Sequence, residues 1–131
     1  MPDKNKKALA AYRLKTASEC LVTAGNNMAA SDYKAAANRS YYCIFSAIRA
    51  VLALDGFDSK KHSGIISEFR RGYIKTGAFP IEFSDMIKEA FNARGKSDYD
   101  DFFVISKTEV MEQIENARVF LAAVEEYLSD K

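Results

Sequence analysis

The glycines and prolines of this chain lie so far apart that little except long helices fits between them. Of 131 residues, two are proline, Pro2 and Pro80, and six are glycine, at 25, 56, 64, 72, 77 and 95. The stretches 3–24, 26–55 and 96–131 contain neither. A sandwich or small barrel needs turn chemistry about every 8–12 residues, so an all-β fold is excluded. The length suits one hydrophobic core, and residues 1–131 are read as one helical domain. At 48% hydrophobic and 28% charged, the composition is that of a folded rather than a disordered chain.

The pattern predicts an all-α, up-and-down antiparallel bundle of about five helices with a four-helix core. The first helix is expected over 4–28, with Leu14, Ala17, Leu21, Ala24 and Met28 on one face and Gly25-Asn26-Asn27 loosening its end. The second is expected from the N-cap Ser31 to Asp55, stopped by Gly56. It is the most apolar segment, and a helix apolar on most sides sits centrally or at a subunit interface. The third is expected over 61–75 and the fourth over 81–93, with Gly77 and Pro80 between them. Residues 94–105 read as a long polar and aromatic connection. Ser106 and Glu109 form a capping box for a fifth helix, on which Val110, Ile114, Ala117, Leu121, Val124 and Leu128 make a regular stripe.

The net charge of +1 conceals an imbalance: residues 1–75 carry a surplus of seven basic residues, and 76–131 a surplus of six acidic ones. A chain coated in positive charge for nucleic acid is not indicated. The two halves are expected to attract each other when folded. Cys20 and Cys43 fall among apolar helical residues and match no disulfide or zinc spacing. No apolar run approaches 18 residues and no signal peptide opens the chain, so a reduced, cytoplasmic protein without membrane contact is expected. GxGxxG, GxxxxGK[ST], HExxH and GxSxG are all absent. No cofactor and no metal are expected; Asp98, Asp100 and Asp101 lack the spacing of a calcium loop.

Arg39 interrupts the most apolar helix. Residues seven apart on a helix differ by only about 20°, so Ser46 lies on Arg39's line, with Tyr42 and Arg49 close to it. A guanidinium in such a place needs carboxylate, phosphate or carbonyl partners. It is either an anion site that grips a phosphate bidentately, or one end of an internal salt bridge to Asp98, Asp100 or Asp101.

The stretch Ala36-Ala37-Asn38-Arg39-Ser40-Tyr41-Tyr42-Cys43-Ile44-Phe45-Ser46-Ala47 resembles the signature helix of the HEPN family, small helical bundles named for nucleotide binding in higher eukaryotes and prokaryotes. Lys61-His62-Ser63-Gly64-Ile65-Ile66-Ser67-Glu68-Phe69 resembles the start of that family's next helix, and Ile74-Lys75-Thr76-Gly77 its end. Arg94-Gly95-Lys96-Ser97-Asp98-Tyr99-Asp100-Asp101-Phe102 resembles its downstream connection. Together these cover roughly residues 8–128. The resemblance implies a nucleotide or RNA phosphate bound through Arg39 with Asn38 and Tyr42, with Ser46 at the histidine position and Arg94, Asp98 and Tyr99 in support; helical spacing adds Arg49 to the same binding strip. It implies a cleft between two subunits, here a homodimer through the second helix. It also implies a nucleotidyltransferase-fold partner in a toxin–antitoxin-type pair.

Active members of the family resemble metal-independent ribonucleases that pair the arginine with a histidine. In this branch the histidine falls where this chain has Ser46. Imidazole exchanges protons near pH 7, whereas a serine hydroxyl needs a base beside it. Weak or absent cleavage is therefore expected. The alternatives are an interaction module with Arg39 in an internal salt bridge, or an active ribonuclease using Tyr42 or His62 in trans. His62, the only histidine, is placed by helix rise about 20 Å from Arg39, as a residue that opens and packs the third helix.

Overall fold

The computed structural model describes residues 3–131, and among these there are five α-helices and no strand. They form the antiparallel bundle that the turn spacing predicts. Helix α1 spans Lys4–Ala29, capped by Asp3, whose carboxylate accepts from the Lys6 N–H at 2.8 Å. It runs through Gly25 without a break. Its buried residues are small, Ala10, Ala17, Cys20 and Ala24, with Leu14, Leu21 and Met28 half-buried beside them.

Helix α2 spans Tyr33–Ala53 and is capped by Asp32, not Ser31. Ser31 takes the left-handed conformation at φ 62° to reverse the chain within a three-residue link. An N-cap needs extended-type backbone, so the cap moves one residue on. At the other end Gly56, at φ 71°, closes a Schellman motif. Its N–H donates to the Ala53 carbonyl at 3.0 Å, and the Phe57 N–H to the Leu52 carbonyl at 3.2 Å.

Helix α3 spans His62–Phe69 and passes into a π-helical turn at Arg70–Ile74. Helix α4 spans Glu82–Tyr99 and α5 Lys107–Ser129. The predicted connection over 94–105 is thus corrected: its first six residues extend α4. Gly95 stays in ordinary helical backbone, since only Gly56 and Gly77 take positive φ. The capping box forms, with Ser106 Oγ accepting from the Glu109 N–H at 3.1 Å.

Helix α2 is the axis of the bundle and packs against all four other helices. Its apolar faces are covered within the chain. The argument that they demand a second subunit therefore falls away. At the far end an aromatic core joins Phe69, Phe79, Phe83 and Phe120, with Phe83 and Phe120 stacked 4.7 Å apart.

Candidate functional site

Between Ala36 and Ala53, every α2 residue is buried except Asn38, Arg39, Tyr42, Ser46 and Arg49. These five, singled out by sequence as one group, form a half-buried polar strip. Tyr12, Arg13, Thr16 and Cys20 of α1 lie along one side. The last turn of α4 and the first residue of α3 lie along the other.

Arg39 makes no carboxylate ion pair among the described residues. Its Nε and Nη2 both donate to Asn38 Oδ1, at 2.9 and 2.6 Å. Its Nη1 reaches Cys20 Sγ at 3.8 Å, and the guanidinium lies over the Tyr42 ring at 5.1 Å. The acid that could have neutralised it is engaged elsewhere. Asp98 Oδ2 sits 3.0 Å from Arg94 Nε and accepts from Asn38 Nδ2 at 3.0 Å. Asn38 is thus an amide spacer, its oxygen towards Arg39 and its nitrogen towards Asp98. The internal salt bridge considered for Arg39 does not form.

The extension of α4 puts Arg94 and Asp98 one turn apart on the same helix. Arg94 Nη2 donates to the Tyr42 hydroxyl at 3.1 Å and, more weakly, to the Tyr99 hydroxyl at 3.5 Å. Its guanidinium lies over the Tyr41, Tyr42 and Tyr99 rings at 5.4–5.5 Å. Burial raises the Cys20 thiol, outweighing Arg39 beside it, and pushes Cys43 up to about 12. Both sulfurs are held as thiols, not nucleophilic thiolates.

His62 is nearer than helix rise suggests. Its Nδ1 is 2.9 Å from the Tyr41 hydroxyl, and its ring stacks on Phe45 at 4.1 Å and meets Tyr42 edge-on at 5.9 Å. With Tyr42 also 5.1 Å from the Arg39 guanidinium, the two legs bound the Arg39–His62 separation at about 11 Å. The 20 Å expectation fails because residues 54–61 double back along α2 instead of turning at its end. Burial, then Arg94 and Arg49, hold the His62 imidazolium below its ordinary range, while burial pushes Tyr41 up to about 12. A histidine with a depressed folded pKa binds fewer protons folded than unfolded, so its contribution to stability is lost as pH falls below about 6.5. The melting temperature is expected to drop between pH 7.5 and 5.5, and His62→Gln to flatten that drop. Parallel pH curves for the two proteins would refute the assignment.

Ser46 has no histidine relay of its own. It lies in an open groove of about 350 Å³ with Leu9, Tyr12, Arg13, Thr16 and Arg49. Arg13, which sequence reasoning missed, is only 11% exposed; its Nη1 donates to the Arg49 carbonyl at 3.1 Å. Arg13 Nη2 and Arg49 Nη2 both reach Asp58 Oδ2 at 3.4 Å. Burial, then Arg49, lowers the Arg13 pKa. The Ser59 N–H, followed by the two arginines, holds the Asp58 carboxyl below its usual range. The signal for Arg13 was present: it falls between Ala10 and Ala17 on the inner side of α1, as Arg39 interrupts α2.

Among the described residues, no three His, Cys, Asp or Glu side chains are grouped to hold a metal ion, and no helix is long and apolar enough to cross a membrane. Asp100 accepts from the Phe102 N–H at 3.0 Å and orders the turn after α4.

The HEPN domain family profile matches residues 10–127. A protein of Methanocaldococcus jannaschii named "Putative toxin MJ0142" is 34% identical over 99 residues, 76% of this chain and 67% of that protein. A UPF0332 protein of Thermotoga maritima is 30% identical over 125 residues, 95% of each chain. The crystal structure of TT1696 from Thermus thermophilus superimposes with a TM-score of 0.74 at 19% identity, covering 89% of this chain and 96% of that one; this likeness bears on the fold alone. With the profile spanning most of the bundle, including α2 and its polar strip, the chain belongs to the HEPN domain family.

Proposed function

We propose that the α2 strip binds a phosphate of RNA or of a nucleotide through Arg39, with little or no cleavage because Ser46 stands at the histidine position. The observation that carries this reading is the unpaired Arg39 guanidinium: charged, half-buried, and held on an amide oxygen while the neighbouring carboxylate serves Arg94. Such a group offers a phosphate two parallel N–H donors. The toxin names of relatives support one half of a toxin–antitoxin-type pair. A second reading, an interaction module contacting another copy or a nucleotidyltransferase-fold protein, is favoured by Tyr99, Phe102 and Val104. These are 75%, 95% and 86% exposed around the end of α4.

Single-stranded RNA binding by Arg39→Ala tests the first reading. A lost charge-assisted contact corresponds to about ten- to hundred-fold weaker binding. Thermal stability should fall by about 1–2 kcal/mol, since the hydrogen bonds to Asn38 Oδ1 and the cation–π contact with Tyr42 are given up together. Binding equal to that of the unaltered protein would refute the reading. Strong RNA cleavage by the unaltered protein, abolished by Arg39→Ala, would refute its claim of weak activity.

A further inference from the structure

We infer that Arg13 and Arg49 form a second phosphate station for single-stranded RNA, occupied in the free protein by the chain's own Asp58. The inference rests on the proposed role of Arg39 and extends it along the same strip. Three observations support it.

First, the station is built. Arg13 is almost fully covered, and its guanidinium is fixed by a hydrogen bond to the Arg49 carbonyl. Its second contact, from Nη2 to Asp58, is the longer one at 3.4 Å, so its position does not rest on Asp58 alone. Second, the resident anion fits poorly. Two guanidiniums face one carboxylate, which leaves a surplus positive charge. Both contacts are 3.4 Å, longer than the 2.7–2.9 Å of a well-made charge-assisted bond. Asp58 is 55% exposed and belongs to the segment between α2 and α3; its Oδ1 accepts from the Ser59 N–H at 2.8 Å, so only the more loosely held Oδ2 has to leave the arginines, and no helix is disturbed. A phosphodiester has two free oxygens, one for each arginine.

Third, the surroundings suit RNA better than an acidic peptide. Tyr12, 68% exposed, lines the same groove as Arg13, Ser46 and Arg49, and Tyr42 lies under Arg39 at the other end. Flat rings beside backbone-gripping cations are the usual means of holding unpaired bases. Arg39 and Arg49 are ten residues apart, about 15 Å of helix, a separation that a strand of a few nucleotides spans. One short strand could lie along the strip with Arg39 on one phosphate and the Arg13–Arg49 pair on another. Asp58 would then act as a built-in competitor that weakens the second grip.

The test uses labelled hexauridylate and a decaglutamate peptide with the full-length chain. Asp58→Asn is expected to bind hexauridylate at least about threefold tighter. The salt slope should steepen by about 0.7, the value for one more phosphate contact on a single strand. Asp58→Glu, which keeps the competing charge, should bind like the unaltered protein. Adding Arg13→Ala to Asp58→Asn should erase the gain; Arg49→Gln takes its place if that double variant does not fold. If Asp58→Asn binds no tighter while Arg39→Ala still loses affinity, the second station is wrong and the Arg39 reading stands. If Arg39→Ala loses nothing, the Arg39 reading fails and the two-station track with it. A gain for decaglutamate but not for hexauridylate would overturn RNA as the occupant.

Discussion

Ser46→His is expected to raise RNA cleavage by the purified protein about 10²- to 10⁴-fold, the range that a well-placed general acid–base group supplies. Position 46 follows Arg39 by two helical turns on nearly the same line, and Ser46 faces an open groove of about 350 Å³. An imidazole at this position therefore has room without displacing a core side chain. Arg13 and Arg49 line the same groove, and positive neighbours lower a histidine pKa. The introduced group should be neutral at pH 7, able to accept the 2′-hydroxyl proton, with the acidic limb of the rate profile below about pH 6.5. Cleavage by Ser46→His should vanish on adding Arg39→Ala. If a folded Ser46→His protein binds RNA normally but cuts no faster, proton transfer is not the missing step, and the explanation for weak activity is wrong.

Phe120→Ala is expected to be the most damaging of the single core truncations. Phe120 is fully buried on α5, stacked 4.7 Å from Phe83 of α4 and 5.8 Å from Phe69 of α3. It therefore joins three helices. Truncating a buried phenylalanine removes its transfer free energy and leaves a cavity, together about 3–5 kcal/mol. Against a total stability of about 5–15 kcal/mol, that is a large share, and the melting temperature should fall by roughly 10–20 °C. Urea unfolding should give a lower midpoint at unchanged slope. A loss under about 1 kcal/mol would mean that the aromatic junction is not packed as described.

The sequence carried the fold because its signals were local. The glycine-free runs, the Ser106 cap and the heptad-spaced apolar residues each concern positions a few residues apart, and helices depend on such spacings. It carried the strip for the same reason: Asn38, Arg39, Tyr42, Ser46 and Arg49 share one helix, so their common face follows from helical rotation alone. What could not be read was whatever depended on the path between helices. The placement of His62 against Tyr41 and Phe45 is set by how residues 54–61 fold back, and Asp58 reaches Arg13 and Arg49 by the same path. The end of α4 escapes a sequence reading because Gly95 looks like a stop. The interactions that carry the helix past it, from Arg94 to Asp98 and Tyr42, are visible only once α4 lies beside α2.

The confinement of α2's polar residues to one narrow strip has a consequence for how such a protein can change over time. Most of the helix is fixed by burial, and substitutions there disturb the whole bundle. Ser46 is the strip position least bound by that constraint: it is half-buried and lines the open groove, whereas Tyr42 and Asn38 hold Arg94 and Asp98 in place. On the function proposed above, a lineage can therefore exchange the side chain at position 46 at a smaller cost to the fold than any substitution on the buried faces of the same helix. Chemistry and architecture are inherited on the same helix yet are free to evolve at different rates.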